Sequence, residues 1–283
     1  MRGSRAVLVA VESCGDGLLR HSTVDLAAAE ASVRGLPLRL VCVGAPAAYP
    51  MEGASPADAE LLVREARRRF AQAYPDLPVS AVVIEGDPAA VVIGEAARAE
   101  LVVVGRRRRA DLARCVEAEI AGSVDCPVIV ASGAQHPVAP RASGGPVVVG
   151  MKGDDRDAAA VVFGLEEAAL RDVALQLVHV WSNIPDMDLA SVDPFVYDLA
   201  EARRDAERLI EAGLDGWAQK YPEVRVERIP LYQLDVAATL SEASAEASLL
   251  VLGHRRDGSG RRLLGRVTRS LIDESRCPIA VAR

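Results

Sequence analysis

Short, nearly all apolar runs recur in the first part of the chain at residues 6–11, 38–43, 79–84, 101–104 and 128–130, and have counterparts at 147–151, 174–180, 224–229, 249–252 and 279–281. Runs without polar alternation predict strands buried on both faces, and hence a parallel sheet. Between them the apolar period lengthens to that of a helix. Ala59, Leu62, Val63, Ala66, Phe70 and Ala73 fall on one face, as do Phe195, Leu199, Ala202, Ala206, Leu209, Gly213 and Trp217. Arg203, Arg204, Asp205 and Arg208 fall on the opposite, solvated face. Strand alternating with helix gives βαβ units, whose right-handed crossovers build a doubly wound sheet.

The pattern is written twice. "AVLVAVESC" (6–14) matches "PVVVGMKGD" (146–154), "LVVVGRRRR" (101–109) matches "LLVLGHRRD" (249–257), and "DCPVIVAS" (125–132) matches "RCPIAVAR" (276–283). Order is preserved while the offset grows, so the copies differ by small insertions. The Gly-, Pro- and Ser-rich stretch between them reads as a linker. The expected organisation is a first domain over residues 1–133, a linker over 134–145 and a second domain over 146–283. The strands that end the two copies are expected to pair with each other within the chain.

Composition narrows the function classes. The net charge of −7 argues against nucleic acid as partner. Of 33 basic residues only Lys152 and Lys220 are lysine. The 5 cysteines include no CxxC pair, which argues against a disulfide framework or zinc site. No apolar run reaches membrane-spanning length and the N-terminus carries no signal-peptide pattern, so a reduced cytoplasmic protein is expected. No G-x-S-x-G elbow, metal spacing or Ser/His/Asp constellation marks an enzyme. His21, His136, His179 and His254 are scattered. His179 reads as a satisfied core residue, whereas His254 follows a strand and could reach a ligand. Asp154, Asp155 and Asp157 read as helix-start capping. "RRRR" (106–109) reads as a solvated loop.

In an open α/β sheet, ligands bind beyond the carboxyl ends of the strands. There the second copy reads "VLGHRRDGSGRRLLGRVT" (251–268), a strand, a Gly- and Arg-rich loop and a helix start. With "VVVGMKGDDRDAAAVVFGLEEAAL", "EGDPAAVVIGEAARAELVVVG" and the "CPIAVAR" ending, the chain resembles the universal stress protein family, in particular its tandem two-domain members. The resemblance implies a five-stranded parallel sheet per domain, of the adenine nucleotide alpha hydrolase-like type, with domains pairing through their last strands. Some members bind ATP through an Asp after the first strand, a Gly-x-x-Gly after the fourth and a following Gly-Ser-Val-Ser/Thr. Backbone N–H groups and a helix N-terminus then hold the phosphates.

This sequence departs from that pattern. In the second copy Lys152 takes the Asp position, Gly253 is kept, Arg256 replaces the second Gly, Gly265 is kept, Arg266 replaces the Ser, and Val267 and Thr268 are retained. In the first copy Glu12, Gly105, Arg108, Arg114 and Cys115 stand at the corresponding places. Arginine at a glycine position fills space meant for backbone, or grips phosphate with its own fork. The candidate ligand-binding set is therefore Lys152, Gly253, His254, Arg256, Gly265, Arg266, Val267 and Thr268. The expected function is a non-catalytic stress-response protein that binds a small ligand or a protein partner at a degenerate nucleotide site. The alternative is an ATP-binding member, with Mg²⁺ if ATP is bound and slow hydrolysis at most. Whether two chains pair into a homodimer is left open.

Overall fold

The computed structural model describes residues 5–12, 21–44, 56–106, 115–132, 144–154, 156–181, 199–256 and 262–283. The first half runs β1 (Ala6–Glu12), α1 (His21–Val33), β2 (Leu38–Gly44), α2 (Pro56–Phe70), β3 (Val79–Glu85), α3 (Pro88–Ala96), β4 (Ala99–Gly105), α4 (Val116–Ser123) and β5 (Val128–Ala131). The second runs β6 (Val147–Met151), α5 (Arg156–Arg171), β7 (Leu175–Trp181), α6 (Leu199–Leu214), β8 (Val226–Tyr232), α7 (Val236–Ala243), β9 (Leu249–Gly253), β10 (Arg255–Arg256), β11 (Arg262–Leu263), α8 (Arg266–Glu274) and β12 (Ile279–Ala282).

Every apolar run became a strand of one 10-stranded sheet, ordered β3-β2-β1-β4-β5-β12-β9-β6-β7-β8. Pairing is parallel within each half. The halves join where β12 meets β5 antiparallel, with Ile279 opposite Val130, Ala280 opposite Ile129 and Val281 opposite Val128. By the repeat, Val128 corresponds to Ile279 and Val130 to Val281, so the junction has a pseudo-two-fold axis between Ile129 and Ala280. The expected strand pairing within the chain is present.

Most strands run a residue or two beyond their apolar runs, and the clearest differences are at β8 and at the ends of α2 and α6. The strand expected to begin at Val224 begins at Val226 and continues through Pro230 to Tyr232. A proline is tolerated because β8 is an edge strand, where a ladder donor can be missing. The expected helical faces shorten too. Ala73 and Trp217 lie in turns beyond α2 and α6, and Phe195 lies outside the described residues.

On the face of α1, α2, α5 and α6, one apolar core runs through both halves, from Val7, Leu40 and Leu101 through Ile129 and Ala280 to Leu177 and Val251. On the other face, Leu264 and Ile272 of the second half pack into the first half's core. The pairing of halves is thus a continuous hydrophobic contact as well as a strand ladder.

Candidate functional site

The second half's switch point lies between β6 and β9. The chain leaves β6 towards β7 on one side and returns through β9 on the other. Gly150 pairs with Leu252, so Lys152 and Gly253–His254 emerge at the same end of adjacent strands. Lys152 keeps its side chain 70% exposed, with Nζ 3.8 Å from the Asp154 carboxylate. Its backbone is less free. The N–H groups of Lys152, Gly153 and Asp154 donate to the Asp157 carboxylate at 3.0, 2.5 and 3.3 Å. Gly153 has φ +93°, and a Cβ there would strike Leu209. A buried carboxylate therefore already occupies the anion-seeking turn after β6. This is the local role expected for Asp157; Asp155 lies outside the described residues.

The loop after β9 is partly regular. Arg255 and Arg256 pair antiparallel with Leu263 and Arg262, so the position of the family's second glycine sits in a short ribbon. The Arg256 side chain lies outside the described residues. His254 is half-buried between β9 and β10. α8 is the crossover from β9 to β12, which run parallel, so its N-terminus opens at the crevice end of the sheet.

Gly265 is the N-cap of α8, with φ −63° and no side-chain cap. A Cβ at Gly265 would meet nothing within 4 Å. Neither packing nor backbone strain demands glycine there. Arg266 is exposed, Val267 packs on the core and Thr268 is buried. Lys152, Gly253 and His254 are thus at adjacent strand ends, with Gly265–Thr268 at the helix start that faces the same end.

The first half's equivalent loop has other commitments. Arg106, directly after β4, reaches across the junction. Its Nη1 donates to the carbonyls of Ile272, Asp273 and Ser275 at 3.3, 3.0 and 2.9 Å. It caps the C-terminus of α8, where cations are favoured. The expectation of a solvated arginine loop is corrected for Arg106; residues 107–114 lie outside the described residues. Arg283 caps α4 in return, donating to Ala121 O.

Counting back from each Cys-Pro, Glu117 stands where Thr268 stands in the second half. Glu117 is buried in the first turn of α4, putting negative charge where a phosphate would approach. Cys115 is the N-cap of α4 without a side-chain cap bond, and burial foremost raises its thiol pKa. That keeps it from being a ready nucleophile. His179 Nδ1 lies 3.1 Å from Met151 O, so the ring is satisfied as expected, though it is half-buried rather than in the core. Among the described residues, no group of three or more His, Cys, Asp or Glu is placed to hold a metal ion.

The universal stress protein family model matches the chain twice, over residues 3–132 and 145–283. The chain belongs to the universal stress protein family. The universal stress protein Rv2005c of Mycobacterium tuberculosis is 31% identical over 212 residues, covering 73% of this chain and 70% of the relative. A universal stress protein of Mycolicibacterium smegmatis is 28% identical over 98% of this chain and 96% of its own length. Among solved structures, a universal stress protein from Archaeoglobus fulgidus superposes with a TM-score of 0.60 at 15% identity, covering 98% of both chains, which speaks for the fold alone.

Within this tandem universal stress protein, sequence reasoning missed Glu117 and the role of Arg106. The first had a signal in the count back from Cys126-Pro127. The second follows from contacts that only the folded chain makes.

Proposed function

We propose that this universal stress protein works without turnover, by holding a small ligand or a protein partner, and that its nucleotide sites are degenerate. The observation that carries the reading is the β10–β11 ribbon. It commits backbone groups of Arg255, Arg256, Arg262 and Leu263 to one another, at a loop where ATP-binding relatives keep glycine N–H groups for phosphate. Glu117 at the start of α4 supports the same reading for the first half. The functional units are residues 1–133 and 146–283 with a linker over 134–145. Further pairing of two chains belongs to the same mode of action.

The test is to denature the purified chain and assay the supernatant for nucleotide by mass spectrometry. The expected result is none, together with no thermal shift in millimolar ATP and Mg²⁺. Co-purified ATP overturns the reading.

A second reading is favoured by Gly265. Its missing Cβ leaves open space at the N-terminus of α8, so ATP phosphates could approach there, with Arg266, Val267 and Thr268 around them and Lys152 and His254 at the strand ends. In that case Gly265→Asp, which adds bulk and negative charge, abolishes ATP binding, and unchanged affinity refutes this placement.

Cytoplasmic residence is part of the proposal. Cys42, Cys115, Cys126 and Cys277 are all unbridged. Among the described residues, no helix is long and apolar enough to cross a membrane. Fractionation of cells expressing a tagged chain checks this.

A further inference from the structure

The helix after the first strand of each half closes on the same dyad, Glu30 on α1 with Arg34 in the turn that follows it, and Glu167 with Arg171 on α5. Both helices then stop in the same way. Gly35 and Asp172 take positive φ of 62° and 57°. Gly35 N donates to Ser32 O and Leu36 N to Ala31 O; Asp172 N and Val173 N do the same to Ala169 O and Ala168 O. This left-handed cap fixes the last turn, and with it the direction of each arginine.

The dyads meet across the junction. Arg34 pairs with Glu30 and with Glu167; Arg171 pairs with Glu167 and with Glu30. Arg34 Nη1 also donates to Glu30 O at 3.2 Å, and Arg171 Nη1 to Glu167 O at 3.4 Å. Both glutamates are 0% exposed and Arg171 is 5% exposed. The four side chains obey the same two-fold exchange as the β5–β12 ladder.

Buried ion pairs are a weak source of stability, since desolvation offsets much of their attraction. Their geometry is what distinguishes them here. The ladder they accompany is poor in register information. Val128–Ala131 and Ile279–Ala282 are apolar and buried at every position. A strand apolar on both faces can slip by one or two residues without exposing a polar group. A slip of two residues moves the halves by roughly 7 Å, which breaks both cross-pairs and leaves each buried carboxylate only the arginine of its own dyad.

We propose that the Glu30–Arg34–Glu167–Arg171 tetrad is the recognition element of the domain junction. It fits one kind of partner, a second half carrying the same Glu-x-x-x-Arg dyad at the end of the helix after its first strand, and it sets the register in which the halves join. The inference is independent of whether the crevice binds a ligand.

Three variants of the full chain test it, read by melting temperature and by solution mass from light scattering. Glu30→Arg with Arg34→Glu sets like charges across the junction. It is expected to lower the melting midpoint by on the order of 10 °C and to give mixed masses or aggregate. Reversing all four residues (Glu30→Arg, Arg34→Glu, Glu167→Arg, Arg171→Glu) restores complementarity and is expected to recover a single species of parental mass. Replacing all four by apolar residues (Glu30→Met, Arg34→Leu, Glu167→Met, Arg171→Leu) separates recognition from stability. That chain is expected to melt at or above the parent yet to distribute over several masses. A monodisperse apolar variant of parental mass shows that packing alone sets the register, and overturns the proposal. So does a half-reversed variant indistinguishable from the parent.

Discussion

Removing the Arg106 guanidinium by Arg106→Ala tests how the halves hold one another outside the sheet. The side chain gives three hydrogen bonds of 2.9–3.3 Å to the last carbonyls of α8, a helix of the other half. A hydrogen bond from a charged donor is worth roughly 1.5–3 kcal/mol net. One nitrogen shares its protons among three acceptors, so the set counts as fewer than three full bonds. The favourable meeting of a cation with a helix C-terminus adds about 0.3–1 kcal/mol. The expected loss is about 3 kcal/mol, a fall in melting temperature of roughly 5–10 °C for a chain of this size. Urea denaturation with an unchanged slope is the assay. Arg106→Lys keeps the charge but not the fork, and should recover only part of the loss. A change below about 0.5 kcal/mol, the range of an ordinary surface substitution, refutes the reasoning. Because Arg106 is spent on α8, its removal should also leave any response to nucleotide unchanged.

Other expectations follow from packing and burial. Gly164 lies where α5 crosses the sheet; a Cβ there would sit 2.5 Å from Val149 Cγ2 and 3.1 Å from Leu175 Cδ1. Val149 is stiff and buried, so Gly164→Ala should destabilise by about 1–2 kcal/mol despite its better helix propensity, measurable by chemical denaturation. Asp172 is the only described non-glycine residue with positive φ, and Asp172→Gly should stabilise by about 0.5–1 kcal/mol in the same assay. Burial raises the Cys277 thiol from 9.0 to about 11. The folded state therefore holds that proton more tightly than the unfolded one. Its contribution is whole below pH 9 and is lost as pH rises towards 11, on the order of 3 kcal/mol. Cys277→Ser should flatten that alkaline fall, and native Cys277 should alkylate only on unfolding.

Most strands were legible because they are apolar on both faces, a pattern that little else in a polar chain imitates; β8, with Glu227 and Arg228, was placed by its position in the repeat. Pro230 shows the limit of that signal: the run looked shorter than β8 because only the sheet order reveals an edge. The β10–β11 ribbon was invisible, since two-residue pieces rich in arginine carry no periodicity. Glu30–Arg34 and Glu167–Arg171 are in plain sight as i,i+4 pairs, yet on a helix such spacing reads as a surface ion pair. Only the antiparallel junction turns two surface pairs into one tetrad in which Glu30, Glu167 and Arg171 are buried and Arg34 is nearly so. Arg106 was likewise one of four equal arginines until its carbonyl partners, more than 150 residues away, were in place.

The two loops after β4 and β9 began as equivalents and now differ in what they hold. The first supplies Arg106 to the junction and follows it with the buried Glu117. The second keeps Gly253, Gly265, Val267 and Thr268 but pairs its two flanks in a ribbon. A single-domain pair related by true symmetry would have to change both loops together. Within one chain each copy can change alone, so one loop can serve the junction while the other stays at the crevice. The cost of that freedom is that wrong pairings of the halves are no longer excluded by symmetry. A charge pattern repeated in both copies, and buried only when the halves meet in register, is a direct physical answer to that problem.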